Sequence, residues 1–167
     1  MERLDFLIYE KISSLINIAL VKAVNPDVTL RDVTVLNKGM IKLLKYNYGI
    51  EGVILDVDET LRKEFGNIPK CNDDWIDALK GELKVTILSN GKSEPMQRYF
   101  NEKGIDYITF ALKPLRRNFL KACEQMEVSP DKVMVIGNDL FSDILGGKRN
   151  KMKTALVQKV RDNHEDR

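Results

Sequence analysis

Five short apolar runs, each separated from the next by a stretch with helical spacing, constrain this chain more than any other feature. Residues 53–56, 85–88, 107–109, 133–136 and 154–157 are short and rich in Val and Ile, as expected of parallel strands covered on both faces. The stretches between them carry helix-end signals. Asn72 is placed to cap a helix holding Trp75, Ile76 and Leu79. Glu94-Pro95 opens the next helix and Gly104 closes it. Residues 116–126 form a third, Ser129-Pro130-Asp131 turns into the fourth strand, and 141–151 make the last crossover. This repetition predicts an α/β fold with a doubly wound parallel sheet of about five strands. Ligands of such sheets bind beyond the carboxyl ends of the strands.

The first 48 residues read differently. Ile12, Leu15, Ile16, Ala19, Leu20 and Ala23 fall at i, i+3, i+4 spacing. Asn25-Pro26-Asp27 breaks the pattern, and a second helix is expected over 36–46, ended by Asn47-Tyr48-Gly49. We therefore expect one domain in 167 residues: a helical extension at 1–48 beside a core at 49–160, and a polar tail at 161–167. The 12–23 stripe is expected to pack on the core. An interfacial membrane helix is the alternative, but its polar face (Glu10, Lys11, Ser13, Asn17, Lys22) is not strongly basic.

Composition removes several function classes. The longest unbroken apolar runs are four residues, too short for a membrane span or a secretory core segment. Cys71 and Cys123 lie far apart and read as free thiols of a reducing cytoplasm. The one histidine, His164, sits in the tail, which leaves little room for histidine catalysis or a Cys/His zinc site. A net charge of +2 and 7% aromatics give no support for a nucleic-acid partner.

The strand ends are where chemistry concentrates. After the first run comes Asp56-Val57-Asp58-Glu59-Thr60. In an extended chain i and i+2 share a side, so both aspartates can enter one pocket. Two carboxylates there repel, which raises one pKa or demands a cation; a solvated turn is the plainer alternative. After the second run, Ser89-Asn90-Gly91 offers donors to a phosphate oxygen, or is an ordinary turn. Lys113-Pro114 follows the third, either to neutralise negative charge or as a surface turn. Gly137-Asn138-Asp139 and Asp143 follow the fourth, as ligands of a hard cation or as helix caps. Chance would scatter such residues over both ends of a sheet.

This ordered set resembles the haloacid dehalogenase (HAD) superfamily of aspartate-dependent phosphohydrolases, over about residues 49–157. It is most similar to YqeG-type members of subfamily IIIA. The cues are Gly49-Ile50-Glu51-Gly52, Leu88-Ser89-Asn90, Lys113-Pro114-Leu115, the run Asp139-Leu140-Phe141-Ser142-Asp143-Ile144-Leu145-Gly146-Gly147, and Asn25-Pro26-Asp27 ahead of the core. The resemblance implies a Rossmann-like sheet and a Mg²⁺-dependent phosphatase. Asp56 would be the nucleophile and Asp58 the general acid and base. Ser89, Asn90 and Lys113 would bind phosphate. Asp56, the Asp58 carbonyl, Asn138, Asp139 and Asp143 would hold the metal. Family members usually carry aspartate where this chain has Asn138, whose amide oxygen ligates Mg²⁺ without bringing charge.

Relatives in that group include phosphatidylglycerophosphate phosphatases, so the resemblance implies a phosphorylated membrane lipid met from the cytoplasmic side. Other phosphorylated macromolecules or metabolites, and a non-catalytic binding protein, are the alternatives. Residues 61–84 and 90–113 each have room for little beyond one helix, and the second also for a strand. No cap domain is therefore expected, and an uncapped site accepts bulky carriers. Two basic groups flank the motifs. Of these, Arg116 and Arg117 beside Lys113 are the better candidates for meeting an anionic substrate than Lys121 or the group Lys148, Arg149, Lys151 and Lys153.

Overall fold

The computed structural model describes residues 24–161; the 12–23 stripe, His164 and nearly all of the tail lie outside the described residues. Six parallel strands form one sheet: β1 (Val28–Leu30), β2 (Gly52–Leu55), β3 (Lys84–Leu88), β4 (Asp106–Ile108), β5 (Val133–Gly137) and β6 (Lys153–Val157). Their order is β1-β6-β5-β2-β3-β4. The helices are α1 (Lys38–Tyr48), α2 (Lys70–Lys80), α3 (Glu94–Glu102), α4 (Arg116–Met126) and α5 (Leu145–Arg149). From β2 the chain winds outward through β3 and β4. It then crosses back to β5 on the other side of β2 and winds outward again. The crevice at the carboxyl ends of β2 and β5 is the switch point of the winding.

Residue alternation splits the core in two. Val53 and Leu55 join Ile87, Met134 and Ile136 in the larger cluster, while Ile54 joins Leu88 and Val135 in the other. Successive side chains of a strand point to opposite faces, so a continuously apolar strand feeds both clusters. The first face receives Ile41 of α1, Trp75, Ile76 and Leu79 of α2, and Phe100 of α3. The second receives Phe119, Ala122, Cys123 and Met126 of α4.

The structure departs from the sequence reading at several points. The sheet has a sixth strand, β1, inside the stretch expected to be a helical extension. Three residues are too few for a period to register in sequence, and β1 is an edge strand held by β6 alone. Helix α1 starts at Lys38 rather than residue 36: Asn37 caps it, its Oδ1 accepting from Met40 N at 3.1 Å. The Leu36 carbonyl is used elsewhere, accepting from the Trp75 indole at 2.8 Å. Asn72 is not a cap. It is buried in α2 and donates to the Leu61 carbonyl at 2.8 Å, tying that helix to the loop after β2. The last crossover divides into a π-turn at Leu140–Ile144 and the short α5.

Asn25-Pro26-Asp27 does more than break a helix. Asp27 Oδ2 accepts from Thr154 N at 2.7 Å and pairs with Lys148 Nζ at 2.7 Å. Asp27 N donates to Thr154 Oγ1 at 3.2 Å. Lys148 is thereby a structural cation. Burial raises the Asp27 pKa, but Lys148 and Thr154 outweigh it and hold the carboxyl below its ordinary 3.8. A depressed folded-state pKa contributes stability that is present above about pH 4 and is lost as pH falls through the folded value. Asp27→Asn should therefore lower unfolding free energy by about 1–2 kcal/mol at neutral pH. It should also flatten the loss of stability below about pH 4. Urea unfolding followed from neutral to acid pH measures both.

Candidate active site

β2 ends at Leu55, but Asp56 N still donates to Ile136 O at 3.0 Å, so Asp56 is held in register with β5. The chain then closes a tight turn. Thr60, Leu61 and Arg62 all direct their N–H to the Val57 carbonyl, at 3.2, 2.8 and 3.3 Å. That turn swings Thr60 back, and its hydroxyl donates to Asp56 Oδ2 at 3.0 Å. It also buries Arg62, whose Nε donates to Asp58 Oδ1 at 2.8 Å and Nη1 to Gly66 O at 2.9 Å. The two aspartates do not face each other bare: each has its own cation from the chain.

The cation of Asp56 is Lys113. Its Nζ lies 2.7 Å from Asp56 Oδ1 and 2.6 Å from Asp143 Oδ1, with the lysine side chain only 3% exposed. The lysine is aimed by backbone stitching between two strand-end loops. Lys113 N donates to Asn90 Oδ1 at 2.7 Å, and Ala111 N donates to Ser89 O at 3.0 Å. The Lys113–Pro114 bond is cis. Phe110 and Leu112, on either side of Ala111, hold φ of 48° and 50°. That left-handed conformation is unusual for bulky residues, and it turns both side chains out to solvent.

Asp143 reaches Lys113 by passing over Gly137. A Cβ at position 137 would stand 2.3 Å from Asp143 Cγ, so only glycine allows the approach. Asp143 is fully buried, and its Oδ2 also accepts from Asp139 N at 3.1 Å. Asp139 is exposed and turned away: its Oδ1 caps the π-turn, accepting from Ser142 N at 2.6 Å. Burial alone would favour neutral Lys113, but the charges of Asp143 and Asp56 overcome it and raise the lysine pKa. Burial pushes Asp143 up from the usual carboxylate range, against the attraction of Lys113.

Asn138 leaves β5 toward the same point. Its inward side-chain atom lies 3.2 Å from Asp56 Oδ2, 3.3 Å from the Asp58 carbonyl oxygen and 3.3 Å from Thr60 Oγ1. Ser89 is buried and lies beside the Tyr107 phenol. Asp58, Arg62, Phe65, Ser89, Gly91 and Lys92 line an open cleft of about 500 Å³ beside the cluster. Arg116 and Arg117 are exposed at the start of α4, outside the cluster. The structure thus gathers Asp56, the Asp58 carbonyl, Lys113, Asn138 and Asp143, with Ser89 and the Asp58 side chain on the adjoining cleft. Asp139 is left outside. Thr60, part of the first motif but given no role in the sequence reading, and Arg62, not singled out there, each lie four residues after an aspartate they contact. Tyr107 gave no signal beyond its place in a strand.

Comparison with known proteins places these features in a family context. A model of haloacid dehalogenase-like hydrolases matches residues 68–150. A Bacillus subtilis protein named "Probable phosphatase YqeG" is 34% identical over 113 residues, 66% of this chain and 66% of that protein. The Clostridium perfringens protein PpaX, named as a pyrophosphatase, is 30% identical over 62% of this chain and 51% of its own length. The alignments therefore span about two thirds and half of these relatives. Among solved structures, a Listeria monocytogenes protein superposes with TM-score 0.54 at 20% identity, over 70% of this chain and 84% of that one. A HAD family enzyme from Bacteroides thetaiotaomicron, in complex with magnesium and inorganic phosphate, gives 0.54 at 14% identity, over 71% of this chain and all of its own.

Removing Lys113 leaves two carboxylates without their cation. Lys113→Met should lower stability by about 3–5 kcal/mol, and Lys113→Met with Asp143→Leu should recover part of that loss. Chemical denaturation of the two variants beside the parent gives the comparison.

Proposed function

We infer that this chain, which belongs to the haloacid dehalogenase-like hydrolases, is a phosphatase that works through an aspartyl-phosphate on Asp56. The observation that carries this reading is the Asp56 carboxylate fixed beside the buried Lys113 at the switch point of the sheet. Lys113 offsets negative charge where a phosphoryl group would meet Asp56. In the first step the Asp56 carboxylate attacks phosphorus, an O–P bond forms, and the bond to the leaving oxygen breaks as Asp58 gives it a proton. In the second, Asp58 takes a proton from a water that attacks the aspartyl-phosphate, and inorganic phosphate and free Asp56 result. Arg62 holds one Asp58 oxygen, so the carboxylate edge toward the cleft is the one available for proton transfer. Ser89 and the Asn90–Gly91 turn supply donors to phosphate oxygens.

The donor set fits a hard divalent cation such as Mg²⁺: the inward atom of the Asn138 amide lies 3.2 Å from Asp56 Oδ2 and 3.3 Å from the Asp58 main-chain oxygen. A cation held there would screen the repulsion between carboxylate and phosphate. Asp139 and Asp143 are engaged with Ser142 N and Lys113 and are not part of that set.

The substrate we favour is a lipid-borne phosphomonoester, phosphatidylglycerophosphate. The cleft is open, and exposed Phe65, Phe110, Leu112 and Leu115 on loops, with Phe141 on the π-turn, stand at the carboxyl edge of the sheet. Arg116 and Arg117 lie beside them. An apolar rim with adjacent cations suits an anionic lipid surface. No described helix is long and apolar enough to cross a membrane.

Hydrolysis of phosphatidylglycerophosphate in mixed micelles, with and without Mg²⁺, tests the assignment. Asp56→Asn should leave a folded protein with turnover reduced at least about 10³-fold. Faster turnover of a soluble sugar phosphate than of the lipid would refute the lipid substrate. Replacing Phe110 and Leu112 by Asp should cut activity on micelles severalfold and leave a soluble chromogenic phosphate unaffected; equal losses on both would place the rim in folding rather than in lipid contact.

A further inference from the structure

We propose that Asn138 is a reversible amide latch on the cation-binding oxygens, with nitrogen inward when no divalent cation is present and oxygen inward when one is bound. The proposal rests on the reading that this site takes such a cation. Its basis is the chemistry of one point in space. The inward atom of the Asn138 amide has three oxygens at 3.2–3.3 Å: Asp56 Oδ2, the Asp58 carbonyl and Thr60 Oγ1. The first two only accept hydrogen bonds. Thr60 has a single proton, placed for Asp56 Oδ2 at 3.0 Å or for Asn138 at 3.3 Å.

An amide oxygen and an amide nitrogen occupy nearly the same space but carry opposite hydrogen-bonding character. With oxygen inward, three acceptors surround one point and share one hydroxyl proton, an arrangement that a divalent cation satisfies. With nitrogen inward, the two N–H protons go to Asp56 Oδ2 and the Asp58 carbonyl, and the cluster is satisfied without an ion. A half turn of the amide interconverts the two states with no backbone movement. Aspartate at this position would accept in both orientations, and alanine in neither would donate. Asparagine alone among these serves both the empty and the loaded site.

Two consequences follow for this chain. The metal-free site is not a nest of repelling oxygens, so the protein keeps it formed without a cation. A cation entering must also displace the latch's own hydrogen bonds and gains no charge from residue 138, so it is held less tightly than a carboxylate there would hold it.

The test compares the parent, Asn138→Asp and Asn138→Ala by thermal unfolding in chelator and by Mg²⁺ calorimetry. In chelator, Asn138→Asp should melt several degrees below the parent, and below Asn138→Ala, because a second carboxylate then faces Asp56 Oδ2 and the Asp58 carbonyl. Its Mg²⁺ affinity should be on the order of ten- to a hundredfold higher than the parent's. In the parent itself, the Asn138 side-chain N–H signals should be protected from exchange in chelator and lose that protection on Mg²⁺ addition, a readout that needs no folded variant. Parent Mg²⁺ binding with no gain in Asn138→Asp, or equal melting temperatures in chelator, would overturn the latch and leave the metal-dependent reading standing. Absence of Mg²⁺ binding in both proteins would overturn both.

Discussion

One ammonium group organises the carboxyl end of the sheet. Lys113 Nζ sits between Asp56, which leaves β2, and Asp143, which returns from the crossover after β5, and it arrives on the loop after β4. Taking three charged groups out of water is unfavourable unless they satisfy one another. Because these three come from separate segments, their pairing fixes the relative placement of three strand-end loops. Gly137 is small because Asp143 passes over it, and the 108–113 loop is stitched to Ser89 and Asn90 because the lysine must point inward. The core beneath supplies the stability; the ion cluster supplies the register of the loops.

The neighbouring pair works on a different scale. Asp58 remains 42% exposed on its side chain and opens to the cleft, while Arg62 behind it is buried. Asp56 is the more enclosed of the two, its side chain 12% exposed, and Asp58 stands at the water's edge. Two carboxylates two residues apart are thus given unlike surroundings, which is how one motif can carry two chemical roles. The split comes from the turn at Val57, whose single carbonyl collects three N–H groups and sets Thr60 on Asp56 and Arg62 on Asp58.

The sheet and the position of the cluster were legible because parallel strands buried on both faces must be continuously apolar, and because polar residues directly after such strands have few places to go. Asp56, Ser89, Lys113 and Asn138 could be put at one end of the sheet on that ground alone. What could not be read were contacts set by geometry off the strand axis. Arg62 looks like any surface arginine until the turn buries it. Asp139 and Asp143 are equivalent in sequence as acids near a helix start, yet one caps a turn and the other is buried on lysine. β1 was missed because three residues carry no period and because its partner, β6, lies far along the chain. Asn72 had the residue type of a cap, but Pro69 had already set the helix start three residues earlier.

The clamp of Asp27 on Thr154 joins residues 127 positions apart. For a chain made from one end to the other, that separation is a delay. β2, β3 and β4 can pair as soon as they leave the ribosome, since each lies beside its predecessor. β1, although made before them, has no neighbour until β6 emerges. Lys113 has Asp56 behind it from the start but waits 30 residues for its second carboxylate, Asp143. During synthesis the early edge strand is therefore left without its native neighbour, and the lysine with one of its two carboxylates. A stalled or truncated product would display both to the machinery that recognises unfinished chains.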